Sequence, residues 1–160
     1  MNWAFCLPPR VVFGAGCAER VGEEVAALGA ASALVVSDPG VVAAGLLRPV
    51  VDSLSGAGVR ADVFSEVHPK PPVFDADAAV REARRAGSTD AVVGLGGGSV
   101  MDVAKVVAAA LGGDAEAEDF IAPGGRAVSR RLPLALVPTT AGTGSEVTAL
   151  SVLMDAMGRE

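Results

Sequence analysis

Aromatic residues and positive charge are two things that this sequence has little of. Only 4% of its 160 residues are aromatic, with no tyrosine and one tryptophan, and the formal net charge is -6 at pH 7. Proteins that bind nucleic acid usually present a basic face to the phosphate backbone, and those that bind single strands stack bases on aromatic side chains. We therefore predict no nucleic-acid partner.

Cysteine and histidine are also scarce, which limits metal and redox chemistry. The two cysteines, Cys6 and Cys17, form no CxxC motif, so we interpret both as core or surface thiols. The single histidine, His68, stands beside Pro69 in a polar, proline-rich stretch. We interpret it as a surface residue rather than a ligand, and we predict no metal site in this sequence.

Long apolar runs are missing as well. The N-terminus lacks the basic region and apolar run of a secretory signal, and glycine, proline or charge interrupts every apolar stretch before the roughly 18 residues of a membrane span. We therefore expect a cytoplasmic protein with no membrane partner. The content of 51% hydrophobic and 20% charged residues is typical of a globular chain, and the length suits one domain.

What the sequence does contain is an alternation of apolar strands and amphipathic helices. Short apolar runs predict strands at residues 10–14, 33–37, 59–64, 91–95, 134–137 and 147–154. Apolar residues at helical spacing predict helices between them, for example from Ala18 to Leu28 and from Val100 to Leu111. Because the strands lack polar alternation, we predict an α/β fold with a doubly wound, mostly parallel sheet.

Two finer expectations concern the ends of predicted elements. Asp75 is the predicted N-cap of the helix after the proline-rich stretch. The last predicted strand, which begins at Val147, enters a turn near residues 155–158 and has no returning strand. Such a strand leaves an exposed edge that invites pairing, so we expect that a homo-oligomer is possible.

A glycine-rich loop follows the strand at residues 91–95. The strand runs through Gly96-Gly97-Gly98-Ser99 into the next predicted helix. Glycines let backbone N–H groups approach a phosphate, and a helix N-terminus favours negative charge. The alternative is a tight strand-to-helix turn without a ligand. Asp102 is expected in the first helical turn, where it supports the helix start or lies near a ligand, and Lys105 can pair with it or neutralise phosphate.

A second polar loop follows the strand at residues 134–137. Residues 139–145 hold three threonines, one serine and two glycines, which offer hydroxyl and N–H donors at another strand end. A polar surface turn is the alternative interpretation. Two such loops after neighbouring strands favour one shared nucleotide site, because ligands of doubly wound sheets bind at the carboxyl ends of the strands.

Asp38 directly follows the strand at residues 33–37. A carboxylate at this place can accept hydrogen bonds from a ribose diol and thereby favours NAD over NADP. The alternative is an N-cap or turn aspartate before Pro39. Asp38 precedes the glycine loop, whereas the acidic residue follows it by about 20 residues in the usual Rossmann order, so the order along the chain is not the standard one.

Two stretches of the sequence together resemble the two signature stretches of the iron-containing (group III) alcohol dehydrogenases. They are Gly96-Gly97-Gly98-Ser99-Val100-Met101-Asp102-Val103-Ala104-Lys105 and Pro138-Thr139-Thr140-Ala141-Gly142-Thr143-Gly144-Ser145-Glu146. Their order and separation match as well. The similarity extends from the residues 10–16 through Asp38 to the last predicted strand. One departure is Lys70-Pro71, where the family often has Asn-Pro.

The resemblance implies a Rossmann-like nucleotide-binding domain over residues 1–160 and a role for each matching residue. Asp38 would bind the adenosine ribose and favour NAD, while Gly97, Gly98 and Ser99 would hold the pyrophosphate, with Asp102 nearby. The cofactor cleft would be lined by Thr139, Thr140, Thr143 and Ser145, of which Thr143 and Ser145 lie nearer the nicotinamide. We predict no catalytic residue in the chain itself.

The resemblance also implies a C-terminal helical domain that the 160 residues do not include. In the family, one aspartate and three histidines of that domain hold Fe2+ or Zn2+, so we expect that this chain binds neither ion. We expect it to bind the dinucleotide without catalysis, and to act on a small alcohol or aldehyde only when completed. The alternatives are a standalone nucleotide-binding or regulatory module derived from the family, and a subunit completed by a second chain.

Overall fold

The computed structural model describes residues 10–120 and 125–154. Its strands are β1 (Ser32–Val36), β2 (Arg60–Phe64), β3 (Ala91–Gly96) and β4 (Leu134–Pro138). Its α-helices are α1 (Val21–Ala27), α2 (Pro39–Ala43), α3 (Leu47–Gly56), α4 (Val73–Ala86) and α5 (Gly98–Gly113). Short 3-10 helices occupy Cys17–Arg20, Ala117–Phe120 and Ser145–Val147. The expectations for Cys6, the N-terminal segment and the turn at residues 155–158 lie outside the described residues.

The four strands form one parallel sheet with the order β2-β1-β3-β4. Val35 of β1 lies opposite Val63 of β2 and Val93 of β3, and Gly96 of β3 lies opposite Pro138 of β4. Because every pair is parallel, the carboxyl ends of all four strands lie at the same edge of the sheet. The predicted parallel α/β architecture is confirmed.

Helices cover both faces of the sheet. Leu34, Val36 and Val92 pack in one apolar cluster with α4 and α5, whereas their neighbours Val35 and Val93 pack in the other with α1 and α3. All five side chains are fully buried. Burial of each contributes about 1.5–3 kcal/mol, which explains why these strands carry no polar alternation. The doubly wound arrangement is therefore confirmed.

The predicted first strand, at residues 10–14, is wrong. This segment makes no strand pairing in the described part of the chain, and Val11 and Phe13 are 70% and 99% exposed. A β-branched run favours a strand chiefly because it fits a pleated, half-buried surface. Among residues 10–120 and 125–154, no neighbouring strand supplies such a surface.

Asp75 does not cap the helix as predicted. Helix α4 begins two residues earlier, with Pro72 as its N-cap in the extended conformation, so Asp75 lies inside the first turn. Its carboxylate is buried and accepts a hydrogen bond from the backbone N–H of His68 at 2.8 Å. The other carboxylate oxygen lies 3.0 Å from Nδ1 of the same histidine. Asp75 thus closes the loop before the helix instead of capping the helix.

The predicted strand at residues 147–154 is wrong as well. A 3-10 helix at Ser145–Val147 is followed by an irregular segment, and only Met154 forms an isolated bridge, with Pro72. Side chains of α5 hold this segment, as described below. The exposed strand edge that suggested an oligomer is therefore not present there, and oligomerisation stays a prediction. In the described part of the chain, no helix is both long and apolar enough to cross a membrane.

Candidate functional site

The polar segments singled out in the sequence lie together at the carboxyl edge of the sheet. Asp38 follows β1, the glycine loop follows β3, and the threonine-rich loop follows β4. Since β3 lies between β1 and β4, the glycine loop stands between the other two segments. The backbone N–H of Thr139 donates to the carbonyl of Gly96 at 2.9 Å, which joins the two loops directly at their bases.

The glycine loop leaves the N-terminus of α5 without a side-chain cap. Gly97 is the N-cap residue, in an extended conformation, and Gly98 begins a helix of 16 residues. The first N–H groups of a helix have no partner within the helix, and the helix dipole places partial positive charge there. The loop therefore has the local geometry and the electrostatics of an anion-binding site.

Missing β-carbons allow the two loops to pack against each other. A β-carbon on Gly97 would lie 3.3 Å from Oγ1 of Thr140, and one on Gly98 would lie 3.4 Å from Cβ of Thr143. The first distance is tighter than ordinary contact and the second is at its lower limit, so the threonine side chains lie directly over the glycine loop. The two loops are therefore in contact, as predicted.

Another glycine brings α5 close to the sheet. A β-carbon on Gly94 of β3 would lie 2.8 Å from Cβ of Ala104 and 2.9 Å from Cδ2 of Leu136. These contacts are too short for real atoms, so only glycine permits this spacing. Gly94 thereby sets how closely the N-terminus of α5 approaches the edge of the sheet.

Asp38 caps helix α2, as one of its two interpretations proposed. Its Oδ1 atom accepts a hydrogen bond from the backbone N–H of Val41 at 3.0 Å. Asp38 is partly buried, and this bond fixes the carboxylate beside the end of β1.

Ser37, the neighbour of Asp38, was not predicted as a site residue. Its hydroxyl is fully buried and donates to the carbonyl of Leu95 at 2.9 Å, which connects β1 to β3 next to the site. No local signal in the sequence distinguishes this serine, because its partner lies on the neighbouring strand β3.

Asp102 lies deeper in α5 than the sequence suggested. Because the helix begins at Gly98, Asp102 is its fifth residue, and the first turn contains no acidic residue. Its carboxylate accepts hydrogen bonds from the hydroxyl of Ser145 at 2.5 Å, from Lys105 at 2.9 Å and from the backbone N–H of Val152 at 3.1 Å. The prediction that Asp102 supports the helix start is wrong, and the i, i+3 pair with Lys105 is confirmed.

The four polar residues of the second loop differ in exposure. Ser145 is 6% exposed and its hydroxyl points to Asp102, with its backbone N–H 3.3 Å from Oγ1 of Thr143. In contrast, the other three are exposed: Thr139, Thr140 and Thr143. The loop thus offers threonine hydroxyls at its surface, whereas its serine faces the protein.

The described residues outside this edge include no candidate metal site and one open groove. Within residues 10–120 and 125–154, no group of three or more histidine, cysteine, aspartate or glutamate side chains is placed to hold a metal ion. The side chain of His68 is 60% exposed, in agreement with the surface position predicted for it. An open groove of about 480 Å3 between β2 and α4 is lined by none of the predicted site residues.

The match to a family model covers nearly the whole chain. The model described as "Iron-containing alcohol dehydrogenase" matches residues 8–160. Choline dehydrogenase of Bacillus subtilis is 40% identical over 153 residues, and long-chain-alcohol dehydrogenase 1 of Geobacillus thermodenitrificans is 40% identical over 148 residues. These alignments cover 94% and 91% of this chain but only 38% and 37% of the relatives, so the chain spans under two-fifths of their length.

Solved structures match in the same way. NADH-dependent butanol dehydrogenase A of Thermotoga maritima superposes with a TM-score of 0.87 at 33% identity, over 96% of this chain and 38% of that protein. Sulfoacetaldehyde reductase of Bifidobacterium kashiwanohense, solved in complex with NAD+, superposes with a TM-score of 0.88 at 34% identity. That match covers 100% of this chain and 42% of the reductase.

Proposed function

The chain belongs to the iron-containing alcohol dehydrogenase family, and we propose that it binds a dinucleotide at the edge of the sheet where β1, β3 and β4 end. The observation that carries the proposal is the uncapped N-terminus of α5, over which Thr140 and Thr143 lie. We propose that residues 1–160 are the dinucleotide-binding domain of an oxidoreductase. That enzyme would transfer hydride between an alcohol or aldehyde and a nicotinamide cofactor.

The order of the strands gives the cofactor a direction. Asp38, the glycine loop and the threonine-rich loop follow β1, β3 and β4, which are adjacent in that order. A dinucleotide with its adenosine ribose at Asp38 would place its pyrophosphate at residues 97–99. Its nicotinamide half would then extend toward the loop after β4. The placement of Asp38 before the glycine loop in sequence suits this site, because the two segments are neighbours in space.

Asp38 supports NAD as the preferred cofactor. Its Oδ1 atom is engaged with the N–H of Val41, and the cap holds the carboxylate in place. The Oδ2 atom can then accept a hydrogen bond from a ribose hydroxyl. A 2′-phosphate, as in NADP, would instead meet the negative charge at short range.

We propose that the 160 residues bind the cofactor without oxidising an alcohol. The resemblance implies that three histidines hold the metal, and this sequence contains one histidine. The described residues offer no metal-binding group, so no catalytic step through a metal is assigned to them. The chain's own residues would bind and orient the dinucleotide.

Fluorescence titration of the purified chain with NADH tests the proposal, with NADPH as the matched comparison. We expect saturable binding of one NADH per chain and affinity for NADPH that is lower by about tenfold or more. Incubation with NAD+, Fe2+ or Zn2+ and a panel of alcohols should produce no NADH. Failure to bind either dinucleotide would refute the binding proposal, and metal-dependent NADH production would refute the assignment of catalysis to residues outside this chain.

A further inference from the structure

The segment of residues 143–152, which we call the strap, depends on α5 for its position. Beyond one turn of 3-10 helix it has no regular structure. In the described part of the chain, no backbone–backbone hydrogen bond joins the strap to any other segment. Two side chains of α5, Asp102 and Lys105, supply the bonds that secondary structure would otherwise provide.

Lys105 makes three hydrogen bonds with its single ammonium group, two of them to the strap. Its Nζ atom donates to Asp102 at 2.9 Å, to the hydroxyl of Thr148 at 3.3 Å and to the carbonyl of Leu150 at 2.6 Å. An ammonium has three N–H donors, so all three are used. The side chain is only 11% exposed. A phosphate could accept a hydrogen bond from this ammonium group only if one of the three bonds broke.

Asp102 holds the strap at both of its ends. It accepts from the hydroxyl of Ser145 near the beginning and from the N–H of Val152 at the end, while it also pairs with Lys105. Its side chain is 14% exposed. Charge-assisted hydrogen bonds in such a partly buried place are stronger than neutral ones at the surface.

We propose that Asp102 and Lys105 are positioning residues for the cofactor site rather than cofactor ligands. They fix the strap on α5, and the strap fixes Thr143, which lies against Gly98 of the glycine loop. The proposal rests on the dinucleotide site proposed above. It changes the role assigned to Asp102 and Ser145, because their side chains bind each other and act on the cofactor through the placement of the threonines.

Lys105→Met is the principal test, since methionine keeps an unbranched apolar stem and removes the ammonium. Amide hydrogen exchange of residues 143–152 is measured without cofactor, and NADH affinity is measured by fluorescence titration. We expect exchange in the strap to rise by about tenfold or more and NADH affinity to fall by about tenfold, as loss of charge-assisted bonds implies. Lys105→Arg keeps the cation and should restore both quantities toward the wild-type values.

Arg48→Met is the matched control, because it removes the cation of an exposed i, i+4 pair with Asp52 on α3. It should change neither quantity. Ser145→Ala, which leaves the charges on α5 intact, should shift both in the same direction as Lys105→Met and keeps the test valid if that variant does not fold.

The joint behaviour of the two measurements decides the outcome. Reduced NADH affinity with unchanged strap exchange would mean that Lys105 contacts the cofactor, and would overturn the proposal. Raised exchange with unchanged affinity would overturn it as well, because the network would then serve stability alone. A wild-type chain that binds no NADH refutes the proposed function instead, and the exchange data alone still report whether Lys105 holds the strap.

Discussion

A methyl group placed on Gly94 should separate α5 from the sheet. The new β-carbon would lie 2.8 Å from Cβ of Ala104 and 2.9 Å from Cδ2 of Leu136, whereas carbon atoms in contact are about 3.5–4.0 Å apart. The helix must therefore move by about 0.7 Å. Overpacking of this kind costs about 1–3 kcal/mol, and reduced freedom of the unfolded chain returns about 0.4–1 kcal/mol. We expect a net loss of stability of about 1–2 kcal/mol.

Urea denaturation followed by circular dichroism measures this change, with Gly56→Ala as the control. Gly56, unlike the strand residue Gly94, lies in a helix, at the end of α3, and a β-carbon there would meet no atom within 4 Å. Its substitution should be neutral or stabilising by up to about 1 kcal/mol. Gly94→Ala should also weaken NADH binding, because it displaces the N-terminus of α5. Equal or greater stability of Gly94→Ala relative to the wild type would refute the packing argument.

Two further substitutions test the choice of cofactor and the role of a surface carboxylate. Asp38→Asn keeps an N-cap residue but removes the charge, so the preference for NADH over NADPH should shrink by about tenfold in paired titrations; an unchanged ratio would exclude Asp38 from discrimination. Asp90 accepts hydrogen bonds from the hydroxyl and N–H of Ser32 and from the N–H of Ala31, and chiefly the hydroxyl bond lowers its pKa. A lowered pKa stabilises the fold above the ordinary carboxyl pKa of about 3.9 and loses that effect as the pH falls through the folded-state pKa. Asp90→Asn should therefore destabilise the chain at pH 7, by about 1 kcal/mol at most because solvent screens this carboxylate, and the difference should shrink in denaturation curves as the pH falls below the ordinary carboxyl pKa; a constant difference would contradict the assignment.

The sequence predicted the parts of the fold in which local pattern and tertiary environment agree. The apolar run at residues 33–37 has no polar alternation because helices cover both of its faces. The glycines at 96–98 mark the turn from β3 into α5. Both features are local, so the doubly wound sheet and the meeting of the two loops could be predicted. The polar residues of the two loops could be singled out for the same reason, and their contact with a cofactor stays a prediction.

The remaining features depend on contacts that no local pattern reveals. Residues 147–154 are mostly apolar or β-branched, yet the partners that hold them are remote: Asp102 on α5 lies fifty positions before Val152, and Pro72 forms the bridge to Met154. Helix α5 also begins earlier than a pattern of apolar residues suggests, because its first turn includes Gly98 and Ser99. Asp102, which was expected at the helix start, therefore lies one turn further along and binds Lys105, Ser145 and Val152. Ser37 was missed because its bond to Leu95 requires knowledge of which strand lies beside β1.

The proposed dinucleotide site lies between the loops after β3 and β4. Amide chemical shifts of the isotopically labelled chain, recorded during a titration with NAD+, test it most directly. We predict that the largest saturable changes occur at residues 97–99 and 140–143, with smaller changes around Asp38. Saturable changes that instead map to the groove between β2 and α4, near Phe64 and Arg81, would contradict it.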